Sequence, residues 1–232
     1  MRTPNFARWL VACAVVPAMV LGSGCSGLLP KAVAPPLFYA LDGVPRGHLR
    51  VQPPATTDTA PTLIVNPTRA AAGYDSQHIV YVRVAHRLER FAHSEWVDTP
   101  ARMLAPLIVS AIESTGSFRA IGPALAGIAG DLRLDTELLR LQQEFGNGPS
   151  RVRITLRATL SDNVTRQVVS WREFDQTVAS ASEDPYGGVV AANRAVQLVM
   201  DQLSSYCALA SEPWRASTGT SPKPAEQSRV VR

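Results

Sequence analysis

The chain has 232 residues, 46% of them hydrophobic, with a formal net charge of +4, a composition that fits a folded domain and excludes an intrinsically disordered protein. The charge excess sits at the two ends, in Arg2 and Arg8 and in the four basic residues that follow Glu212. Without those ends the chain holds 17 basic and 17 acidic side chains, which argues against the clustered basic face of a nucleic-acid binder.

Residues 1–24 divide as a signal peptide does, with Arg2 and Arg8 ahead of the uncharged apolar run Trp9–Leu21 and the small residues Gly22, Ser23 and Gly24 behind it. The run has 13 residues, too few for a membrane-spanning helix, which needs about 20. Cys25 follows directly and is the expected lipidation site. Bacterial lipoprotein signals resemble Leu-small-small-Cys, and here Leu21 sits one place early, whereas Leu10-Val11-Ala12-Cys13 is the closer match in letters. Cleavage at Cys13 would leave Ala14–Leu21 exposed on the mature chain, so position favours Cys25. Ordinary signal-peptidase cleavage after Gly24 is the alternative. Ser26 at the next position resembles lipoproteins forwarded to the outer membrane. With Cys13 removed and Cys25 acylated, Cys207 has no partner for an intramolecular disulfide and reads as a small packing residue.

Residues 25–36 carry Gly27, Pro30, Pro35 and Pro36 and read as a lipidated cysteine with a tether. A domain is expected over 37–207. Its first strand candidates are Phe38–Leu41, Leu63–Val65 and His78–Val84, with Pro45–Pro61 a loop. Arg87–Ala92 completes a hairpin leading to Trp96. Thr99-Pro100 predicts a helix start, and Leu104, Leu107, Ile108, Ala111 and Ile112 form its apolar stripe. Pro106 should bend or restart that helix, and Gly116 ends it. Phe118–Ile121 resumes a strand.

Asp131–Leu138 alternates apolar and polar residues. The phase change at Leu139 and Leu141 predicts a bulge or a new cover over the strand. Val152–Leu160 alternates as cleanly, Ser161-Asp162-Asn163 predicts a turn, and Thr165–Thr177 returns as a third long strand. Such alternation implies an antiparallel sheet with one wet face. Asp184-Pro185 opens a final helix with the stripe Val189, Ala192, Val196, Val199 and Leu203. Residues 208–232 are expected to be a disordered tail, rich in Pro, Ser and Thr from about Glu212. The fold class expected is α+β, a mostly antiparallel sheet covered on one face by two main helices.

No phosphate-binding glycine loop and no nucleophile elbow occurs in the sequence. His48, His78, His86 and His93 have no partner at metal-ligand spacing, and Glu144 and Asp175 do not stand out from a surface pattern. No catalytic, cofactor-binding or metal-binding residue is therefore expected, and the chain does not read as an enzyme.

The mature part resembles the ABC-type transport auxiliary lipoprotein family. The matching pieces are Phe38-Tyr39-x-Leu41, Leu63-x-Val65, Gly73-Tyr74-Asp75-Ser76 and Ile79-Val80-Tyr81. Trp96-x-x-x-Pro100-x-x-x-Leu104 and Ala191-Ala192-Asn193-x-Ala195-Val196 complete the series. The resemblance implies an outer-membrane lipoprotein facing the periplasm, held by its N-terminal lipid. Its implied partners are an ABC permease and ATPase and an MCE-domain protein that moves lipid between the membranes. It leaves room for direct phospholipid binding and for a homo-oligomer. A free-standing envelope lipoprotein that binds lipid or cell-wall material is the alternative. Tyr81 and Trp96 read first as packing and turn-fixing residues, with partner binding second.

Overall fold

A computed structural model describes residues 35–42, 60–124 and 130–218. Cys25, His48 and most of the expected 45–61 loop lie outside the described residues. The described elements are strands β1 (Leu37–Tyr39), β2 (Thr62–Val65), β3 (Arg69–Ala70), β4 (His78–Val82) and β5 (Glu89–Trp96), then helix α1 (Pro100–Glu113). Strands β6 (Ala120–Pro123), β7 (Leu132–Gly146), β8 (Gly148–Asp162) and β9 (Val168–Ala179) follow, and helix α2 (Pro185–Thr218) ends the series.

The class is α+β, and the long pairings are antiparallel: β7 with β8, β8 with β9, and β4 with β5. Alternation produces this. Leu132, Leu134, Thr136 and Leu138 of β7 point to the covered face, as do Val152, Ile154, Leu156, Ala158 and Leu160 of β8, and all are buried. The phase change is a bulge. Leu138 pairs with Leu156 while Arg140 pairs with Thr155, so Leu139 is the extra residue, and Leu141 returns to the buried face.

Sequence alternation did not reveal the parallel part of the sheet. One edge of β7 pairs with β8, and the other takes β2 at Leu132–Leu134, β3 at Glu137–Leu138 and β4 at Gln143–Glu144. The chain from β2 to β4 is thus an interrupted strand running beside β7 in the same direction. Strand β1 also pairs in parallel with β5, and β6 with β2. These segments are two to five residues along their own length, too short for a period to show.

Both helices pack as their stripes predict. Leu104, Ile108 and Ile112 of α1, and Val196, Val199 and Leu203 of α2, are fully buried. Thr99 occupies the N-cap position of α1 without a side-chain capping bond, and Asp98 Oδ1 accepts its N–H instead. The helix continues through Pro106, where a bend or restart was expected. Pro106 is exposed, and so is Arg102, the residue whose carbonyl loses an N–H partner, so water can replace the missing bond. Gly116 takes φ 62° just past the helix, as a left-handed terminator should.

The expected boundary at 207 is wrong, because α2 continues to Thr218. Cys207 and Ser211 are fully buried and Ala210 packs on the core, so this last part has a face to cover. The Ser204, Ser205 and Ser211 hydroxyls donate to carbonyls one turn back, so each finds its acceptor within the helix, and the burial of this face is what keeps the stretch helical.

Candidate functional site

Strand β4 lies parallel to the last residues of β7, so the β4–β5 turn and the β7–β8 turn sit at the same end of the sheet. Aromatic side chains gather there. The Tyr81 ring lies 4.5 Å from Phe91 and meets Phe145 edge-on at 5.8 Å. The Arg83 guanidinium stands over the Tyr81 and Phe145 rings at 5.0 and 5.4 Å, a cation–π arrangement on both. Glu89, directly across from Tyr81, holds the phenol proton and pushes the Tyr81 hydroxyl above its ordinary titration range. The same bond, followed by Arg87, holds the Glu89 carboxyl below its ordinary range.

Alternation explains the position of this cluster. Leu141, Gln143 and Phe145 share the helix-covered face, and Gln143 Nε2 reaches the carbonyl of Asp184 just before α2. Phe145 therefore lies one step beyond the point where α2 begins. The adjoining β7–β8 turn forms an open cleft of about 400 Å³ between Glu144, Phe145 and Arg151. Val84 and Leu88 on the neighbouring turn are 51% and 46% exposed. Amphipathic rings, a cation and exposed aliphatics form a surface suited to another protein chain.

Trp96, Tyr74 and Asn193 of the motifs serve packing and fastening. Trp96 is 3% exposed and belongs to the core. Tyr74 donates to Gln142 Oε1 at 2.5 Å from the loop between β3 and β4. Asn193 donates to the Ala40 carbonyl and accepts the Asp42 N–H, fastening the exit of β1 to α2. Glu144 pairs with Arg151 at 3.2 Å. Asp175 is bound at both oxygens by Arg153, whose guanidinium holds that carboxyl below its ordinary range. Across the same wet face, Arg157 bridges Glu137 and Glu173. Burial pushes the Cys207 thiol up to about 12, which makes it a packing group and not a nucleophile at neutral pH. Among the described residues, no three His, Cys, Asp or Glu side chains come together as a metal site would require. Of the sequence-derived residues, Tyr81 joins a cluster, but its partners Phe91, Phe145 and Arg83 carried no motif. The signal available for Phe145 was a large ring directly before the Gly146-Asn147-Gly148 turn.

The match to the ABC-type transport auxiliary lipoprotein component family covers residues 41–204. The chain belongs to this family. The fold is similar to that of protein XCC0632 from Xanthomonas campestris, with a TM-score of 0.63 at 20% identity, covering 82% of this chain and 97% of that one. A second solved structure, of an uncharacterized protein, gives a TM-score of 0.57 at 12% identity over 75% of this chain and 99% of that one. Lipoprotein GNA1162 from Neisseria meningitidis is more distant, at 11% identity and a TM-score of 0.36, covering 62% of this chain and 98% of that one. No curated protein matches the chain.

Proposed function

We propose that the chain is a non-enzymatic accessory lipoprotein of an MCE-type ABC lipid transport system. It is anchored to the outer membrane through Cys25 and faces the periplasm, where it docks the MCE-domain protein that serves an inner-membrane permease and ATPase. The observation that carries this reading is membership of the auxiliary lipoprotein family over residues 41–204, nearly the whole folded part. The cluster of Tyr81, Phe145 and Arg83 supports a docking role, because it offers large rings and a cation beside two turns at one end of the sheet.

Cross-linking in intact cells, followed by identification of the captured proteins, tests the reading. An MCE-domain protein should be recovered with the native chain and lost with Tyr81→Ala combined with Phe145→Ala. Deletion of the gene should sensitise cells to detergent to the same extent as deletion of the permease, and the two deletions together should add nothing. A clearly additive phenotype, with no MCE-domain protein captured, would assign the chain to free-standing envelope lipoproteins.

A further inference from the structure

The edge of the sheet at β1 carries a second exposed surface, unconnected with the aromatic cluster at Tyr81. Leu37, the first residue of β1, is 61% exposed, and on α2 Tyr186 and Val190 are 63% and 48% exposed. Leu37 and Tyr39 lie on the same face of the strand, and the Tyr39 ring stands 6.4 Å from that of Tyr186. Tyr186, Val190, Asn193 and Gln197 recur at helical spacing along one side of an open groove of about 490 Å³, and Ala40 and Asp42 close the other side. Arg194 and Asp42 both line the groove and offset each other in charge, so the surface is amphipathic without a net attraction for either sign.

We propose that this edge rests on the phospholipid surface to which the chain is anchored, with Leu37, Tyr186 and Val190 entering the headgroup boundary. The proposal rests on lipidation at Cys25. Two arguments select a membrane as the occupant. From Cys25 to Leu37 the chain can extend to at most about 40 Å, so the patch can never be far from the anchoring bilayer. It also sits where that connection enters the fold. The chemistry agrees: aliphatic side chains beside a tyrosine, which presents an apolar ring and a polar tip, are what a membrane–water boundary accepts. A short connection raises the effective concentration of the bilayer to the millimolar range. A patch too small to bind lipid from solution is then sufficient to hold the domain down.

The test uses the full acylated chain, purified from envelopes and reconstituted into phosphatidylethanolamine–phosphatidylglycerol vesicles whose acyl chains carry a nitroxide quencher. A fluorophore is attached at Val190→Cys or, as a reference, at Val164→Cys in the β8–β9 turn, which is 83% exposed and at the other end of the sheet. Cys207 is fully buried and does not compete for the label. The label at 190 should be quenched several-fold more strongly than the label at 164. Adding Tyr186→Asp should lower the docked-to-undocked ratio on the order of tenfold and bring the two labels together. If the chain floats with the vesicles and both labels are quenched equally, the membrane-resting edge is overturned and the anchor stands. A chain that does not float overturns the anchored reading, and this proposal with it. Shielding of position 190 from aqueous iodide in detergent, rising with protein concentration, would assign the groove to a second copy and also overturn the proposal.

Discussion

Asn193 Oδ1 accepts the N–H of Asp42 at 2.8 Å, while its Nδ2 donates to the Ala40 carbonyl at 3.1 Å. One side chain of α2 thereby replaces the strand partner that β1 lacks beyond Tyr39. Asn193→Ala should cost about 1–2 kcal/mol and loosen the β1 end first. Thermal melts measure the loss, and hydrogen exchange at Asp42 locates it. Asn193→Asp keeps the acceptor, loses the donor and should fall between the two.

Gly188 brings the backbone of α2 close to Gln143 of β7. A Cβ there would stand 2.3 Å from Gln143 Oε1 and 2.8 Å from its Cδ. Gly188→Ala must displace Gln143, which donates to Ser150 Oγ at 2.9 Å in the interior. The expected loss is about 1–3 kcal/mol. In denaturant, the double variant Gly188→Ala with Gln143→Ala should recover much of it, because the obstructing side chain is gone.

Truncations should separate the two parts of α2. Stopping after Leu203 removes Tyr206, which meets Phe174 edge-on at 5.7 Å, together with the fully buried Cys207 and Ser211. That variant should lose several kcal/mol, comparable to Val196→Asp, which places an unpaired charge at a fully buried position. Stopping after Ser211 should leave the melting temperature nearly unchanged, because Glu212 and Pro213 are exposed.

Cys25→Ser should move the protein from the membrane fraction to the soluble periplasmic fraction without changing its melting temperature. Cys25 lies outside the 41–204 family match and outside the described fold. Mass spectrometry of the N-terminal peptide of the native chain should show an acylated Cys25, and an unmodified one would refute the anchor.

Acid should weaken the wet face of the sheet. The folded Asp175 carboxyl is held below its ordinary value of 3.8, first by its bonds from Arg153. Its contribution to stability is therefore complete above that ordinary value and is lost as pH falls through the lower, folded one. Arg153 and Asp175 are 38% and 39% exposed, so solvent screening keeps the effect small. Asp175→Asn should flatten the stability profile below about pH 4 and leave its shape at neutral pH unchanged.

Periodicity made the long elements legible. Leu132–Leu138 and Val152–Leu160 announce their buried face by strict alternation, and even the bulge at Leu139 is visible as a change of phase. The stripes of α1 and α2 were readable for the same reason. What stayed hidden depends on pairing across the chain. Strands β2, β3 and β4 are too short to carry a period, so nothing local says that they lie parallel to β7. The end of α2 was misread because serines lower helix propensity, and the burial of Cys207, Ala210 and Ser211 against the core, which reverses that preference, is a tertiary effect. The aromatic cluster was half visible, since Tyr81 belongs to a family motif while Phe91, Phe145 and Arg83 meet it only in the folded sheet.

The interrupted strand from β2 to β4 has a consequence for how the molecule is made. Leu63 finds its neighbour Leu132 only after 69 further residues have been synthesised, and Tyr81 waits for Gln143. Hairpins β7–β8 and β8–β9 close over short turns, and β4 can meet β5 in the same way, whereas β3 has no partner before β7 and β2 and β4 each keep one edge open until β7 exists. As the chain emerges from its N-terminus, its first half must therefore wait with unpaired edges. Strand β7, from the later half, is the template against which the open edges of the earlier half close.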